Sequence, residues 1–118
     1  MKDNPRLGRK ANEIVRSPHN RIWVSSASLW EISIKAALRR GKIAEDFSGF
    51  AAEDLDETGF VELPITFDHA LAVRELPLHH ADPFDRMLIA QARQESLTLL
   101  TADPRFRPYD VRTIDASA

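Results

Sequence analysis

Four acidic side chains stand where they can bind a divalent cation. Asp82 and Asp85 lie three residues apart in the first turn of a predicted helix, so they occupy neighbouring parts of one face. Asp103 directly follows a predicted strand, and Glu31 lies early in a helix that also follows a strand. In open parallel sheets, ligands bind beyond the carboxyl ends of the strands, where helix N-termini also point. The sequence therefore predicts that these carboxylates gather at one edge of a sheet.

Crowding of this kind has a chemical consequence. Neighbouring carboxylates repel each other, and one of them stays protonated unless a hard divalent cation neutralises the group. The electrostatics therefore predict Mg²⁺ or Mn²⁺ as the cofactor. Such a cation lowers the pKa of a bound water and stabilises the charge that develops on a phosphodiester during in-line attack. No covalent nucleophile is needed, which fits a chain without cysteine.

Each acid also has a purely structural interpretation. Asp82 is a favourable helix N-cap, and Asp85 suits the third position of a capping box. Asp103 precedes a proline and is a common turn former. Glu31 is harder to explain in this way, because a carboxylate on a partly buried helix face is costly without a partner. Both interpretations of each acid stay open from the sequence alone.

The elements that must position these acids alternate between helix and strand. Apolar spacing and capping signals predict helices over 6–17, 25–41, 46–57, 66–74 and 82–96, and strands over 22–24, 60–63, 97–100 and 111–114. The helix that begins at Asp82 is the clearest, because Asp at the N-cap, Pro at the first position and an acid at the third are each favoured. This alternation predicts an α/β fold, with three α/β/α layers around a mainly parallel sheet.

Composition limits the class of protein. The 118 residues suit one domain, and 43% hydrophobic with 29% charged residues is typical of a globular chain. No apolar run is long enough for a membrane span, and the charged N-terminus with an early proline does not match a secretory signal, so a cytoplasmic location is expected. The absence of cysteine excludes disulfides, thiolate metal ligands and a cysteine nucleophile.

A net charge of −2 means that any nucleic-acid binding must be local. Basic residues form two clusters, one of Lys35, Arg39, Arg40 and Lys42, the other of Arg105, Arg107 and Arg112. Solvated helix and loop faces are the favoured interpretation of both. His79 and His80 are adjacent, which is poor geometry for one shared metal, so both are expected to belong to a loop.

Four stretches resemble PIN-domain proteins, particularly the VapC-type toxins of bacterial toxin–antitoxin pairs. They are VSSASLWEI at 24–32, LPIT at 63–66, HADPFDRMLIAQA at 80–92 and LLTAD at 99–103, which match in order and spacing over nearly the whole chain. The resemblance implies an RNA substrate, Mg²⁺ or Mn²⁺, a homodimer, and a small antitoxin protein that occludes the active site.

The same resemblance implies roles for particular residues. Glu31 matches the acid of the S-x-W-E motif, Asp85 that of D-R-x-L-I-A and Asp103 that of T-A-D, so these three are expected to be catalytic and to bind the metal. Asp82 matches the first acid of D-P-F-D and is a further candidate ligand. Supporting roles are implied for Ser25 and Thr101, which match hydroxyl positions near the site, and for Arg86, which either orients a phosphate or carboxylate or forms an exposed ion pair.

One family feature has no counterpart in the chain. PIN-domain proteins of this kind begin with a strand resembling L-L-L-D-T-H-x-L-L-W, whose Asp is a principal metal ligand, and no such run precedes Asn4-Pro5-Arg6-Leu7. The sequence is therefore interpreted as a single PIN-like domain over 1–118 that lacks its N-terminal strand. A shortened reading frame is the favoured cause, because the remaining acids are all present, and a remnant that has lost the strand is the alternative. The chain is expected to bind metal weakly and to cut RNA poorly or not at all.

Three functions follow as hypotheses. The first is a metal-dependent endoribonuclease toxin whose activated water attacks phosphate and leaves a 5′-phosphate and a 3′-hydroxyl. The second is a catalytically impaired PIN-fold binding module that engages an antitoxin or RNA without cleavage. The third is a DNA-specific nuclease or processing enzyme on the same fold.

Overall fold

A computed structural model describes residues 8–38 and 59–118, and its elements follow the predicted order. They are α1 (Arg9–Arg16), β1 (Trp23–Ser25), α2 (Ser26–Leu38), β2 (Val61–Leu63), α3 (Phe67–Ala72), α4 (Pro83–Glu95), β3 (Leu99–Thr101) and β4 (Thr113–Asp115), with 3-10 turns at Val73–Glu75 and Pro104–Phe106. The helix predicted over 46–57 lies outside the described residues. Among the described helices, none has the length and apolar character that crossing a membrane requires.

The chain divides into two compact units, and the single domain predicted over 1–118 stays a prediction. Of the described residues, 21–38 and 59–64 belong to the first unit, and 8–20 and 65–118 belong to the second. In the described part of the first unit, β1 pairs in parallel with β2, with Trp23 opposite Val61 and Ser25 opposite Leu63. Helix α2 follows β1 directly, so the first unit has the strand-then-helix order that was predicted.

The second unit holds the other parallel pair. Leu99 of β3 lies opposite Thr113 of β4, and Thr101 lies opposite Asp115. The predicted α/β class with parallel strands is therefore confirmed. The core of this unit consists of Leu76, Ile89, Ala90, Phe106 and Tyr109. Because Ile89 and Ala90 lie on α4 and Phe106 and Tyr109 lie after β3, this core fixes the helix against the segment that carries Asp103.

Helix α4 begins and ends as its sequence signals predict. Asp82 is the N-cap, and its Oδ1 accepts hydrogen bonds from the backbone N–H groups of Phe84 at 2.8 Å and Asp85 at 3.3 Å. Pro83 occupies the first helical position, where its missing N–H costs nothing. The helix stops at Ser96, whose φ of 55° lies in the left-handed region.

Helix α3 is anchored to α4 by a buried histidine. Thr66 Oγ1 accepts from the His69 N–H at 3.2 Å, and His69 Nδ1 accepts from the Thr66 N–H at 3.1 Å, which forms a reciprocal capping box. The remaining ring nitrogen of His69 donates to Glu95 Oε1 on α4 at 2.8 Å. His69 is 1% exposed, so this contact ties the two helices together from inside the unit.

Candidate metal centre

Asp85 lies in the first turn of α4, with its carboxylate against the imidazole of His80. His80 Nε2 lies 2.7 Å from Asp85 Oδ2, and the two side chains are 4% and 16% exposed. The helix cap made by Asp82 fixes the backbone of this turn. His80 precedes Asp85 by five residues, and its ring contacts the Asp85 carboxylate. A carboxylate with little access to water is thus held beside an imidazole.

Asp103 reaches the same region from the end of β3. Thr101 Oγ1 accepts from the Asp103 N–H at 3.1 Å, which fixes the turn as the strand ends. The Asp103 carboxylate caps the following 3-10 turn by accepting from the Arg105 N–H at 2.9 Å. It also accepts from the Arg105 side chain, with Nε 3.0 Å from each oxygen and a terminal nitrogen 2.7 Å from Oδ2. Arg105 therefore neutralises this carboxylate from within the chain.

These side chains form one cluster. One potential ligand atom each of His80, Asp85 and Asp103 lies within 4.8 Å of the other two. Two carboxylate oxygens with an imidazole nitrogen nearby are a donor set that suits a divalent first-row cation. The residues present thus fit a divalent metal, and among the predicted acids the structure brings Asp85 and Asp103 together. Their role as ligands remains a prediction.

The two carboxylates sit in opposite electrostatic environments. Burial raises the pKa of Asp85, and the negative charges of Asp82 and Asp103 raise it further, against the hydrogen bond with His80. The hydrogen bonds from Arg105 lower the pKa of Asp103 to about 2. Burial and like charge therefore dominate at Asp85, whereas Asp103 already has a cationic partner. A divalent cation beside Asp85 would offset the repulsion between its charge and those of Asp82 and Asp103.

The remaining predicted acids have structural partners of their own. Asp82 acts as the N-cap of α4 and does not belong to the cluster that the described residues form. Glu31 lies on α2 in the first unit, where its side chain is 25% exposed and pairs with Lys35 at 3.6 Å. A partly buried Glu31 was expected to need a partner, and Lys35, one helical turn later, is that partner. A metal-binding role for either acid remains a prediction.

The predicted supporting hydroxyls take part in local hydrogen bonds. Ser25 Oγ is buried and accepts from the Ala27 N–H at 3.1 Å at the start of α2. Thr101 Oγ1 supports the turn that presents Asp103. Thr101 therefore shapes the backbone at a candidate ligand, whereas the Ser25 hydrogen bond lies at the start of α2.

Arg86 makes contacts that differ from the two predicted for it. Its guanidinium donates to backbone carbonyl oxygens and to a tyrosine hydroxyl, at 3.1 to 3.4 Å: Val73 O, Leu76 O, Pro77 O, His80 O and Tyr109 Oη. These acceptors engage both of its terminal nitrogens, and its role in orienting a phosphate or a carboxylate remains a prediction. Arg86 instead holds the loop that leads to His80.

His80 is the residue that sequence reasoning missed. The loop assignment was correct for its backbone, but the imidazole is buried in the cluster rather than solvated. Tyr109 Oη accepts from the N–H groups of His79 at 3.1 Å and His80 at 2.8 Å, and the His79 side chain is exposed whereas that of His80 is buried. Adjacent histidines are poor geometry for one shared metal, but His80 alone lies in the cluster. A histidine two residues before a helix N-cap was the available signal.

Comparison with known proteins identifies the family of the chain. The family model for the PIN domain matches residues 2–111. The chain belongs to the PIN domain family. A search of curated proteins gave no match. PIN domains are typically metal-dependent nucleases, so the family and the carboxylate cluster both favour a nuclease function.

Proposed function

We propose that the chain is a metal-dependent endoribonuclease and the toxin of a toxin–antitoxin pair. The observation that carries the nuclease part is the approach of Asp85 and Asp103 to one point, with the pKa of Asp85 raised by burial and by neighbouring negative charge. Family membership supplies the reaction class. The RNA substrate and the toxin role rest on the motifs that resemble VapC-type toxins.

When bound, Mg²⁺ or Mn²⁺ would supply an activated water and neutralise charge on the phosphodiester. Asp85 and Asp103 would hold the cation, and Glu31 and Asp82 are proposed as further ligands. The chain's own residues prepare the site: the α4 cap fixes Asp85, and the Thr101 turn fixes Asp103. The helix N-terminus beneath Asp85 also favours negative charge there, including a phosphate oxygen.

A cleavage assay tests the reaction. Purified chain is incubated with single-stranded RNA and, in parallel, with DNA of the same sequence, in Mg²⁺, in Mn²⁺ and in a chelator. We expect at most weak cleavage, of RNA only, lost in the chelator and in Asp85→Asn, which keeps the shape of the side chain and removes its charge. Asp110→Asn is the matched control, because Asp110 is an exposed acid in the same unit. Equal activity in wild type and Asp85→Asn would refute the site.

The toxin role needs a separate experiment. Expression of the chain in a bacterial host should arrest growth, and co-expression of the small protein encoded beside its gene should restore it. The Asp85→Asn protein should not arrest growth, although it should still bind that partner. The proposed homodimer is checked by light scattering after gel filtration. Growth arrest that Asp85→Asn leaves unchanged would separate toxicity from nuclease activity.

A second function is favoured by one contact. Because Arg105 already donates three side-chain hydrogen bonds to Asp103, that carboxylate has a cation without any metal. This suits a catalytically impaired module that binds RNA or an antitoxin without cleavage. Binding of RNA in gel-shift experiments, with no cleavage in either metal, would select this second function. Cleavage would exclude it.

A further inference from the structure

The imidazole of His80 lies against a candidate metal ligand, and its nitrogen is either a ligand itself or the partner of one. Its side chain is 4% exposed, and its Nε2 lies 2.7 Å from Asp85 Oδ2. We propose that His80 is a positioning residue, which orients the Asp85 carboxylate for the cation by donating a hydrogen bond and does not itself bind the metal. This inference rests on the proposed function.

The second ring nitrogen determines the direction of that hydrogen bond. His80 Nδ1 lies 3.4 Å from the backbone N of Asp82 and accepts its N–H. A nitrogen that accepts carries no hydrogen, so the ring hydrogen of a neutral imidazole is on Nε2. Nε2 therefore donates to Asp85. A metal ion on Nε2 would move that hydrogen to Nδ1, where it would face the amide N–H of Asp82.

The loop holds the ring in this orientation from three sides. The His80 N–H donates to Tyr109 Oη at 2.8 Å, and the His80 carbonyl accepts from Arg86 at 3.2 Å. The imidazole packs edge-on against Phe106, with ring centroids 6.1 Å apart. A ring that is buried and held at both backbone groups offers its donor in one direction only. That is the condition under which an outer partner can orient a metal ligand.

The effect on Asp85 follows from the capacity of a carboxylate. An ionised carboxylate has about four acceptor sites, and the histidine uses one of them. The remaining sites are left for a cation, while rotation of the carboxylate is restricted. Partners of this kind typically change metal affinity by about 10- to 100-fold when they are removed. His80 is therefore expected to affect cation affinity more than the fold.

Two substitutions separate a donor from a ligand. His80→Gln keeps an N–H at about the position of Nε2, whereas His80→Leu removes the donor and keeps comparable bulk. Mn²⁺ affinity is measured by isothermal titration calorimetry, with thermal unfolding of each variant recorded in chelator. We expect His80→Leu to weaken Mn²⁺ binding by about 10- to 100-fold, and His80→Gln to retain most of the affinity. The matched control is His79→Gln, on the exposed neighbouring side chain, which should bind as wild type does.

A measurement without metal tests the hydrogen bond itself. Long-range ¹H–¹⁵N NMR spectra of the wild-type protein in chelator should show the hydrogen of His80 on Nε2. A hydrogen on Nδ1, or unchanged Mn²⁺ affinity in His80→Leu, would overturn the inference and leave the proposed function standing. Equal loss of affinity in His80→Gln and His80→Leu would make the imidazole a ligand and would also overturn it. Absence of Mn²⁺ binding in wild type would instead refute the proposed function, and this inference with it.

Discussion

Arg86 is expected to stabilise the second unit, so its substitution should lower thermal stability rather than RNA affinity. The guanidinium donates to four backbone carbonyls, on Val73, Leu76, Pro77 and His80, from a position on α4. The Leu76 carbonyl belongs to the C-cap of the Val73–Glu75 3-10 turn, where a cation is favourable. The substitution to study is Arg86→Met, because methionine keeps much of the apolar stem and removes every donor.

The magnitude follows from the number of contacts. The bond to Pro77 is exposed and is replaced by water, and Tyr109 Oη keeps the N–H groups of His79 and His80 as partners when the guanidinium is removed. The bonds to the Val73, Leu76 and His80 carbonyls are partly buried and are lost. A net contribution of about 1 kcal/mol for each of the buried three gives about 3 kcal/mol. Since 1 kcal/mol shifts the Tm of a domain of this size by roughly 4 °C, the Tm should fall by roughly 12 °C.

The assay is thermal unfolding followed by circular dichroism, with urea unfolding as a second measure. Arg93→Met is the matched control: Arg93 is exposed on the same helix, and its substitution should change stability by no more than about 0.5 kcal/mol. A fall in Tm of less than half the expected value for Arg86→Met would refute the structural role. Normal stability combined with lost RNA affinity would assign Arg86 to phosphate binding, as the sequence had allowed.

Three further predictions concern the carboxylates and the cap of α3. In Arg105→Gln the pKa of Asp103 should rise from about 2 towards its ordinary 3.8, because the side-chain hydrogen bonds that lower it are lost; NMR titration of the carboxyl carbon measures this, and an unchanged pKa would contradict the assignment. Mn²⁺ affinity should fall on acidification from a pH above 3.8, because burial raises the pKa of Asp85 and protons then compete with the cation earlier than at an ordinary aspartate; calorimetry across pH checks it, and a loss confined to pH below 3.8 would be inconsistent with the shift. Thr66→Ala should lower the free energy of unfolding by about 1 kcal/mol, since it removes the side-chain cap of α3, whereas Thr98→Ala at an exposed position should not; equal values in urea unfolding would argue against the cap.

The parts of the fold that the sequence predicts are those with local causes. Helix α4 needs only the Asp82 cap, the proline that follows and an apolar face, and all of these act within a few residues. The same holds for the presence of Asp85 in the first turn of that helix. The turn that presents Asp103 is equally local, because Thr101 and Arg105 are its immediate neighbours. The strand pairs were predictable as parallel from the alternation of elements.

The position of the His80 ring has no local cause. It depends on Tyr109, which follows 29 residues later and receives two N–H groups of the loop. It also depends on Arg86, whose charge suggested a phosphate or a carboxylate as its partner. The spacing of residues reveals neither of these contacts, because both join a side chain to backbone groups of a loop, and such backbone groups have no sequence signature. Contacts between a side chain and the backbone of residues far along the chain leave no local pattern in the sequence.

The contrast between Asp85 and Asp103 limits how the cluster can work. Arg105 keeps Asp103 ionised. The Arg105 side chain is 63% exposed, so water competes with the ion pair and the pair is weak. Asp85 is partly buried beside a donor that supplies no full charge when the ring is neutral. A cation therefore gains more at Asp85 than at Asp103, because there it offsets burial and like-charge repulsion together. Asp85→Asn should thus weaken metal binding more than Asp103→Asn, and the reverse order would mean that Arg105 leaves the site when the cation arrives.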